Sequence, residues 1–505
     1  MHRTQSAWRT SDVLGFSAHW TWIWCVFWSS LFYQEGERAS IAKAAKLLSI
    51  TEVPSLEPLW LFSLLANVVT IALLLLVVRT RNPLANIQFL AQIAGALSTL
   101  GTLALSHMSA LAPDELFVTL YVLGAIATGV GSGIIVVLWS ESISSMGPRR
   151  IIQCSVMASI IGAGAYFIIL QLPVPIAQTV VAILPCLSVV FLMHFSRDLP
   201  TLPAHNRNIH VKTLPPWGMI AVAAFFGFSF GIMKGAMAPI ENDWIVIRDL
   251  LNIAAIVAGS IAIYLTISVY KMDFDHLTYQ VALPLMAAGF LFLSLHEPLN
   301  VIGTAVHQLG YQYFYIVLWA LWPVLSARSA TPSGWMACWG MLAIQVGQLF
   351  GSVIAVEAAA FFQEESNMAM MSALLIFCIL LVALFVLGRG SAVTGWGSIR
   401  PIDENEESPV ESAVMRIAQR CHLSPRETEV LSLLAKGRNR AYIREELTIG
   451  DETVKAISRT STANLTFIRN NSSSILLRKR KACRPLRWKY PKRLATTPNK
   501  RCSFV

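Results

Sequence analysis

Apolar residues along this chain come in runs of about twenty, separated by short polar breaks. Crossing ~30 Å of hydrocarbon takes about 20 mostly apolar helical residues. Twelve stretches fit within a few residues at each end: 13–33, 58–78, 84–106, 116–140, 151–171, 173–194, 218–239, 249–270, 280–295, 309–327, 335–361 and 368–388. The ninth is short and interrupted by Pro284. Between the sixth and seventh lies the polar segment Phe195–Trp217, with Pro200, Pro203, Pro215 and Pro216, which divides the bundle into halves of six (about 13–194 and 218–388). The pattern predicts an all-α, polytopic membrane bundle over 1–388.

Orientation follows from Lys and Arg in short loops, which favour the cytoplasm. With the N-terminus inside, the inner loops hold Arg79, Arg81, Arg149, Arg150, Arg197, Arg207, Lys212, Lys271 and Arg328. The outer loops hold Arg38, Lys43, Lys46 and, at a helix edge, Arg248. Four glutamates (Glu35, Glu37, Glu52, Glu57) cancel the positive charge of the first outer loop. Both termini are therefore expected in the cytoplasm, with the chain in a bacterial inner membrane.

Composition sharpens the division. Hydrophobic residues make up 55% of the 505 and charged residues 13%, about half the charge of a soluble globular protein. Residues 1–400 carry 18 Lys+Arg and 18 Asp+Glu, whereas 401–505 carry 21 and 11, so the last segment holds the whole net charge of +10. A soluble enzyme, a secreted disulfide scaffold and a disordered protein are excluded. Of the eight cysteines, Cys25, Cys154, Cys186, Cys338 and Cys378 lie in apolar runs and read as buried thiols; none has metal-ligand spacing. The first apolar run is too long and aromatic for a signal peptide and has no small-residue cleavage site after it.

Beyond Gly388 the hydropathy collapses. Residues 389–415 contain the acidic string DENEESPVE and read as a tether. A helical pattern returns in LSPRETEVLSLLAKG (423–437). Ser424 suits an N-cap, Pro425 the first helical position, and Glu427 completes a capping box. Val430, Leu431, Leu433 and Leu434 form an apolar stripe, and Gly437 suits the C-cap. A second helix fits Ala441–Leu447, and Thr448-Ile449-Gly450 turns into a third that begins at Asp451. Two short helices joined by a three-residue turn give helix-turn-helix geometry.

The segment LSPRETEVLSLLAKGRNRAYIREELTIGDETVKA resembles the DNA-binding domain of LuxR/NarL-type transcription regulators. The resemblance implies that Thr453 and Lys455 open a recognition helix at the major groove, and that Arg438 and Arg440 touch phosphates. It makes Glu427, Val430, Leu431, Leu434, Ile443, Leu447, Ile449 and Val454 core or cap, and it implies promoter DNA and a homodimer as partners. Two departures stand out. Arg444 occupies a position where the family prefers a small residue, and after Ala456 the family's fourth helix is missing. A suitable choice of codons for Ile457–Asn471, with one C placed in front, makes the neighbouring frame read HLAHVYRKLDIHSQQ, the family continuation. The domain at 416–456 is thus expected to be incomplete, and the basic tail 457–505, with no acidic residue, to be out-of-frame translation.

Six plus six helices around a polar central loop resembles the major facilitator architecture, built from two six-helix halves. Gly129, Gly131 and Gly133 in the fourth span read as close-packing positions. Lys234 and Glu357 are intramembrane charges that pair with each other or line a cavity for a ligand. No catalytic constellation, metal cluster or cofactor motif is seen, so no enzyme and no cofactor are expected. The leading reading is a membrane-bound transcription regulator that senses an unknown small molecule. The alternative is a major-facilitator-like transporter with an accessory or degenerate DNA-binding tail.

Overall fold

The computed structural model describes residues 10–32, 58–78, 84, 87–108, 114–144, 146, 148–197, 217–236, 242–270, 277–293, 299–329, 332–357, 378 and 425–435, with the single positions 443 and 447. The chain divides into two compact units, Met1–Pro401 and Ile402–Val505.

In the first unit eleven helices follow in order: α1 Thr10–Phe27, α2 Pro58–Val78, α3 Gln88–Leu103, α4 Asp114–Ile143, α5 Pro148–Leu170, α6 Val174–Arg197, α7 Trp217–Ala236, α8 Asn242–Ser268, α9 Leu283–Leu293, α10 Leu299–Ser329 and α11 Ser333–Glu357. Each coincides with one of the first eleven expected spans. The twelfth, 368–388, lies outside the described residues except for position 378, as do the tether and the basic tail. Eight of the described helices (α2–α8 and α11) are long and apolar enough to cross a membrane.

The other three fall short for identifiable reasons. Polar groups dilute α1 and α10, yet the bundle buries them: Asp12, Ser17, His19 and Thr21 on one, His307, Gln308 and Gln312 on the other. His307 and Gln308 break the apolar pattern ahead of residue 309, so α10 begins ten residues earlier than expected. The α9 segment opens as a π-helical stretch, Leu277–Ala282, and becomes α-helical at Leu283. Pro284 lacks the N–H that an i→i−4 bond needs, so the irregular turn sits where the regular ladder cannot form.

Polarity runs inside out, as a bilayer demands. On α2, Leu65, Val69, Leu73 and Leu76 are exposed along one face, while Ser63, Asn67 and Thr70 are buried along the other. Two internal hydrogen bonds there join α2 to α4: Asn67 Nδ2 donates to Ser132 Oγ at 2.8 Å, and Thr128 Oγ1 to Ser63 Oγ at 3.3 Å. With no hydrophobic drive between helices in lipid, close packing and such bonds hold the bundle.

Helix pairs repeat with a shift of six. In the first half α2 and α3 pack on α4, and α1 packs on α5; in the second, α8 and α9 pack on α10, and α7 packs on α11. Across the halves α2 meets α11 and α5 meets α8. These paired crossings make two related halves, of six and five helices among the described residues, that enclose a central space.

Glycine sets the crossing between α7 and α11. A Cβ at Gly227 or Gly231 would collide with the carbonyls of Ile344 or Gln348, and one at Gly347 or Gly351 with those of Ala224 or Phe228. Only glycine lets these two backbones meet. In α4, Gly129 abuts the Ser63 carbonyl and Gly131 the Ser98 hydroxyl, which confirms their packing role, whereas Gly133 has only ordinary contacts with Thr70 at 3.4 Å. Among the cysteines in apolar runs, Cys25, Cys154 and Cys338 are buried, but Cys186 and Cys378 are exposed, a correction to the expectation of uniform burial.

In the second unit one more helix, α12 Pro425–Ala435, forms where the capping signals place it. Val430 and Ile443 are buried together, with Leu433 and Leu447 against them. Leu431 is buried too.

Candidate functional site

Where the two halves face each other they enclose a cavity with an empty volume, open mouth included, of about 820 Å³. Helix α1 and the residue after it supply the longest wall: His19, Trp20, Ile23, Trp24 and Phe27, then Trp28. Trp60, Ser63, Leu64 and Asn67 come from α2, and Ser132 and Val136 from α4. The opposite half adds Tyr311, Gln312 and Tyr315 from α10 and Met341, Ile344, Gln345 and Gln348 from α11. The lining is aromatic, amide and hydroxyl; among the described residues it holds no Asp, Glu, Lys or Arg.

The polar walls are fixed by hydrogen bonds. Gln348 Nε2 donates to Tyr311 Oη at 2.8 Å. Gln312 Nε2 donates to Ser159 Oγ at 3.1 Å, and Ser260 Oγ donates to the same hydroxyl at 2.8 Å, tying α10 and α8 to α5 across the halves. Beside the cavity, Phe16 stands 4.9 Å from Trp319 and 5.3 Å from Trp139, ring centre to ring centre, so α1, α10 and α4 meet in one aromatic cluster. This spacing suits edge and tilted ring contacts.

The halves also touch at both ends. At one, Ser144 Oγ donates to Ser333 Oγ at 2.9 Å, and Glu141 lies against Gly334, joining α4 to α11. At the other, Lys234 of α7 donates to the Phe27 carbonyl of α1 at 2.7 Å, and its ammonium stands 5.2 Å from the Trp60 ring centre. Close by, the Ser30 N–H and hydroxyl donate to Asp249 Oδ2 at 2.9 and 2.8 Å. Arg248 pairs with the other carboxylate oxygen of Asp249 at 3.0 Å. A cation at the carboxyl end of α1 satisfies a carbonyl with no intrahelical partner and meets the negative end of the helix dipole.

Of the two intramembrane charges singled out from the sequence, Lys234 therefore sits at a junction between the halves, next to two cavity-lining residues. Glu357 is the last residue of α11; its side chain lies outside the described residues, and so does any pairing with Lys234. Arg438, Arg440, Thr453 and Lys455 also lie outside the described residues. Sequence reasoning missed the cavity residues themselves. The available signal was the density of tryptophan in and just after α1, at Trp20, Trp24 and Trp28.

No family model matches the chain, and no curated protein does. Solved structures do. The human organic anion transporter MFSD10 (TETRAN) superposes with a TM-score of 0.51 at 11% identity, covering 74% of this chain and 97% of its own. A bacterial homologue of the iron transporter ferroportin, crystallised in an outward-facing state with soaked iron, superposes with a TM-score of 0.52 at 11% identity, covering 74% and 96%. At such identity the likeness shows the fold: the membrane unit is a multi-pass, major-facilitator-like helix bundle.

Proposed function

We propose that this chain is a membrane protein that binds a small molecule in the cavity between its two halves and carries it across the bilayer by rocking one half against the other. The observation that carries this reading is the shared lining: α1, α2 and α4 face α10 and α11 across one space, so a bound molecule touches both halves at once. A ligand shifts a two-state equilibrium only through contacts that differ between the states, and a site split between two moving halves supplies them. The structural neighbours are described as an organic anion transporter and a homologue of an iron transporter; the lining here has no Asp, Glu, Lys or Arg among the described residues, and its one imidazole is His19. Uptake into vesicles reconstituted with the full chain tests the reading. Time-dependent accumulation of a small molecule above protein-free vesicles supports transport; saturable binding without accumulation removes it.

A second reading, a membrane-bound LuxR-type transcription regulator, is favoured by one observation. Val430 and Ile443 are buried together beside Leu433 and Leu447, the contact expected between the first two helices of a helix-turn-helix. In this reading the same cavity senses the molecule. Thr453 and Lys455 approach promoter DNA, Arg438 and Arg440 hold phosphates, and the ligand changes how two cytoplasmic units pair. Ligand-dependent transcription with no vesicle uptake favours this second reading.

A further inference from the structure

Three side chains of the cavity wall each keep a buried polar atom with no protein partner: Trp20 Nε1, His19 Nδ1 and Asn67 Oδ1. They are 3%, 2% and 6% exposed. A buried polar group left unpaired is costly, and these three belong to residues that line one space. Four other buried indole N–H groups, those of Trp319, Trp322, Trp335 and Trp339, also lack a protein partner, but none of these residues lines the cavity.

The three atoms differ in kind. An indole N–H only donates, an amide oxygen only accepts, and an imidazole nitrogen does either according to its tautomer. The amide of Asn67 is oriented by its own donation to Ser132 Oγ at 2.8 Å, which leaves its oxygen as the open acceptor. Around them stand aromatic faces: Trp20 lies 6.0 Å from Tyr315, and Trp28 lies 6.2 Å from Tyr311, both between opposite halves.

Charge narrows the class. The described lining offers no counter-ion to an anion, and burying an unpaired charge is expensive. Aromatic walls can hold a cation, but the Lys234 ammonium already stands 5.2 Å from the Trp60 ring and repels a second one. Resting on the cavity reading above, we infer that the ligand is a flat, uncharged aromatic molecule bearing at least one hydrogen-bond acceptor for Trp20 and one donor for Asn67.

The test uses the full chain in nanodiscs and four matched fragment sets: benzamides, benzoates, benzylamines and cyclohexanecarboxamides. Binding is read by saturation-transfer NMR with titration. Benzamides are expected to bind at least ten-fold tighter than the other three sets. Trp20→Phe, which keeps a ring and removes the N–H, and Asn67→Leu are each expected to weaken them about ten-fold. Trp322→Phe, which removes an indole N–H that lacks a protein partner but does not line the cavity, is expected to weaken them less than three-fold. Equal or tighter binding of a charged or saturated set, lost when Ile344→Trp fills the cavity, overturns the ligand class and leaves the cavity reading standing. Benzamide binding that ignores both Trp20→Phe and Asn67→Leu also overturns the class. Binding insensitive to Ile344→Trp, or no binding by any set, overturns the cavity reading and the class together.

Discussion

Lys234 on α7 donates a 2.7 Å hydrogen bond to the carbonyl of Phe27, the last residue of α1, and so fastens the second half of the bundle to the first beside the cavity. The bond is charge-assisted and therefore short and strong for its kind. Stacking of the ammonium over Trp60 adds a contact worth about 0.5–2 kcal/mol. A junction of this strength is large enough to bias two states separated by a few kcal/mol.

Removing it should open that end of the cavity. Lys234→Met is expected to raise the labelling rate of a cysteine placed at Ile23, in a background free of native cysteines, several-fold with a membrane-impermeant maleimide. Lys234→Arg, which keeps the charge and the donors, should label at close to the parental rate. An unchanged rate in Lys234→Met would remove Lys234 from any role in access.

The α7–α11 crossing gives a sharper stability test. At Gly231 an added methyl meets the Gln348 carbonyl, whereas at Gly164 nothing lies within 4 Å. Overpacking of this kind costs about 1–3 kcal/mol, while alanine is the better helix former by about 1 kcal/mol where space is open. Gly231→Ala should therefore lower the thermal midpoint in detergent, and Gly164→Ala should leave it unchanged or raise it. Equal effects at the two sites would mean that the backbone contact is not limiting.

Topology is testable with reporters. One fused after Gly388 should behave as cytoplasmic and one inserted between the third and fourth expected spans, within 107–115, as external, because nine of the short-loop basic residues fall on the inner side against four on the outer. The opposite pattern would overturn the charge argument or the twelve-span count.

For the DNA-binding reading, the decisive region is the sequence after Ala456. The gene is expected to encode the family's fourth helix when one base is added near codon 456. The frame-restored chain should then discriminate operator from random DNA, an advantage of about 4–10 kcal/mol in specific complexes. In that restored chain Lys455→Ala should weaken binding and reduce its salt slope. Sequence discrimination by the present chain would show instead that the basic tail is a working part of the domain.

The helices were legible in the sequence because a bilayer imposes a length and an apolar run that survive without knowledge of neighbours. α12 was legible for a different reason: its cap, stripe and terminator lie within fifteen consecutive residues, 423–437. The cavity was not. Trp20, Asn67, Tyr315 and Gln348 come from four helices and become neighbours only through the pairing of two halves. The Lys234 junction was half legible, since an intramembrane charge announces itself while a backbone carbonyl acceptor leaves no trace in sequence. The early start of α10 was hidden because His307 and Gln308 look like loop residues until the bundle buries them.

The central claim is that one molecule occupies the space between the halves and touches both. A cryo-EM map of the full chain in nanodiscs, saturated with the tightest-binding neutral aromatic fragment, measures this directly. The account predicts added density between Trp20 and Asn67 on one side and Tyr315 and Gln348 on the other, absent from the fragment-free map. Saturable binding with the added density elsewhere, or against one half alone, would contradict it.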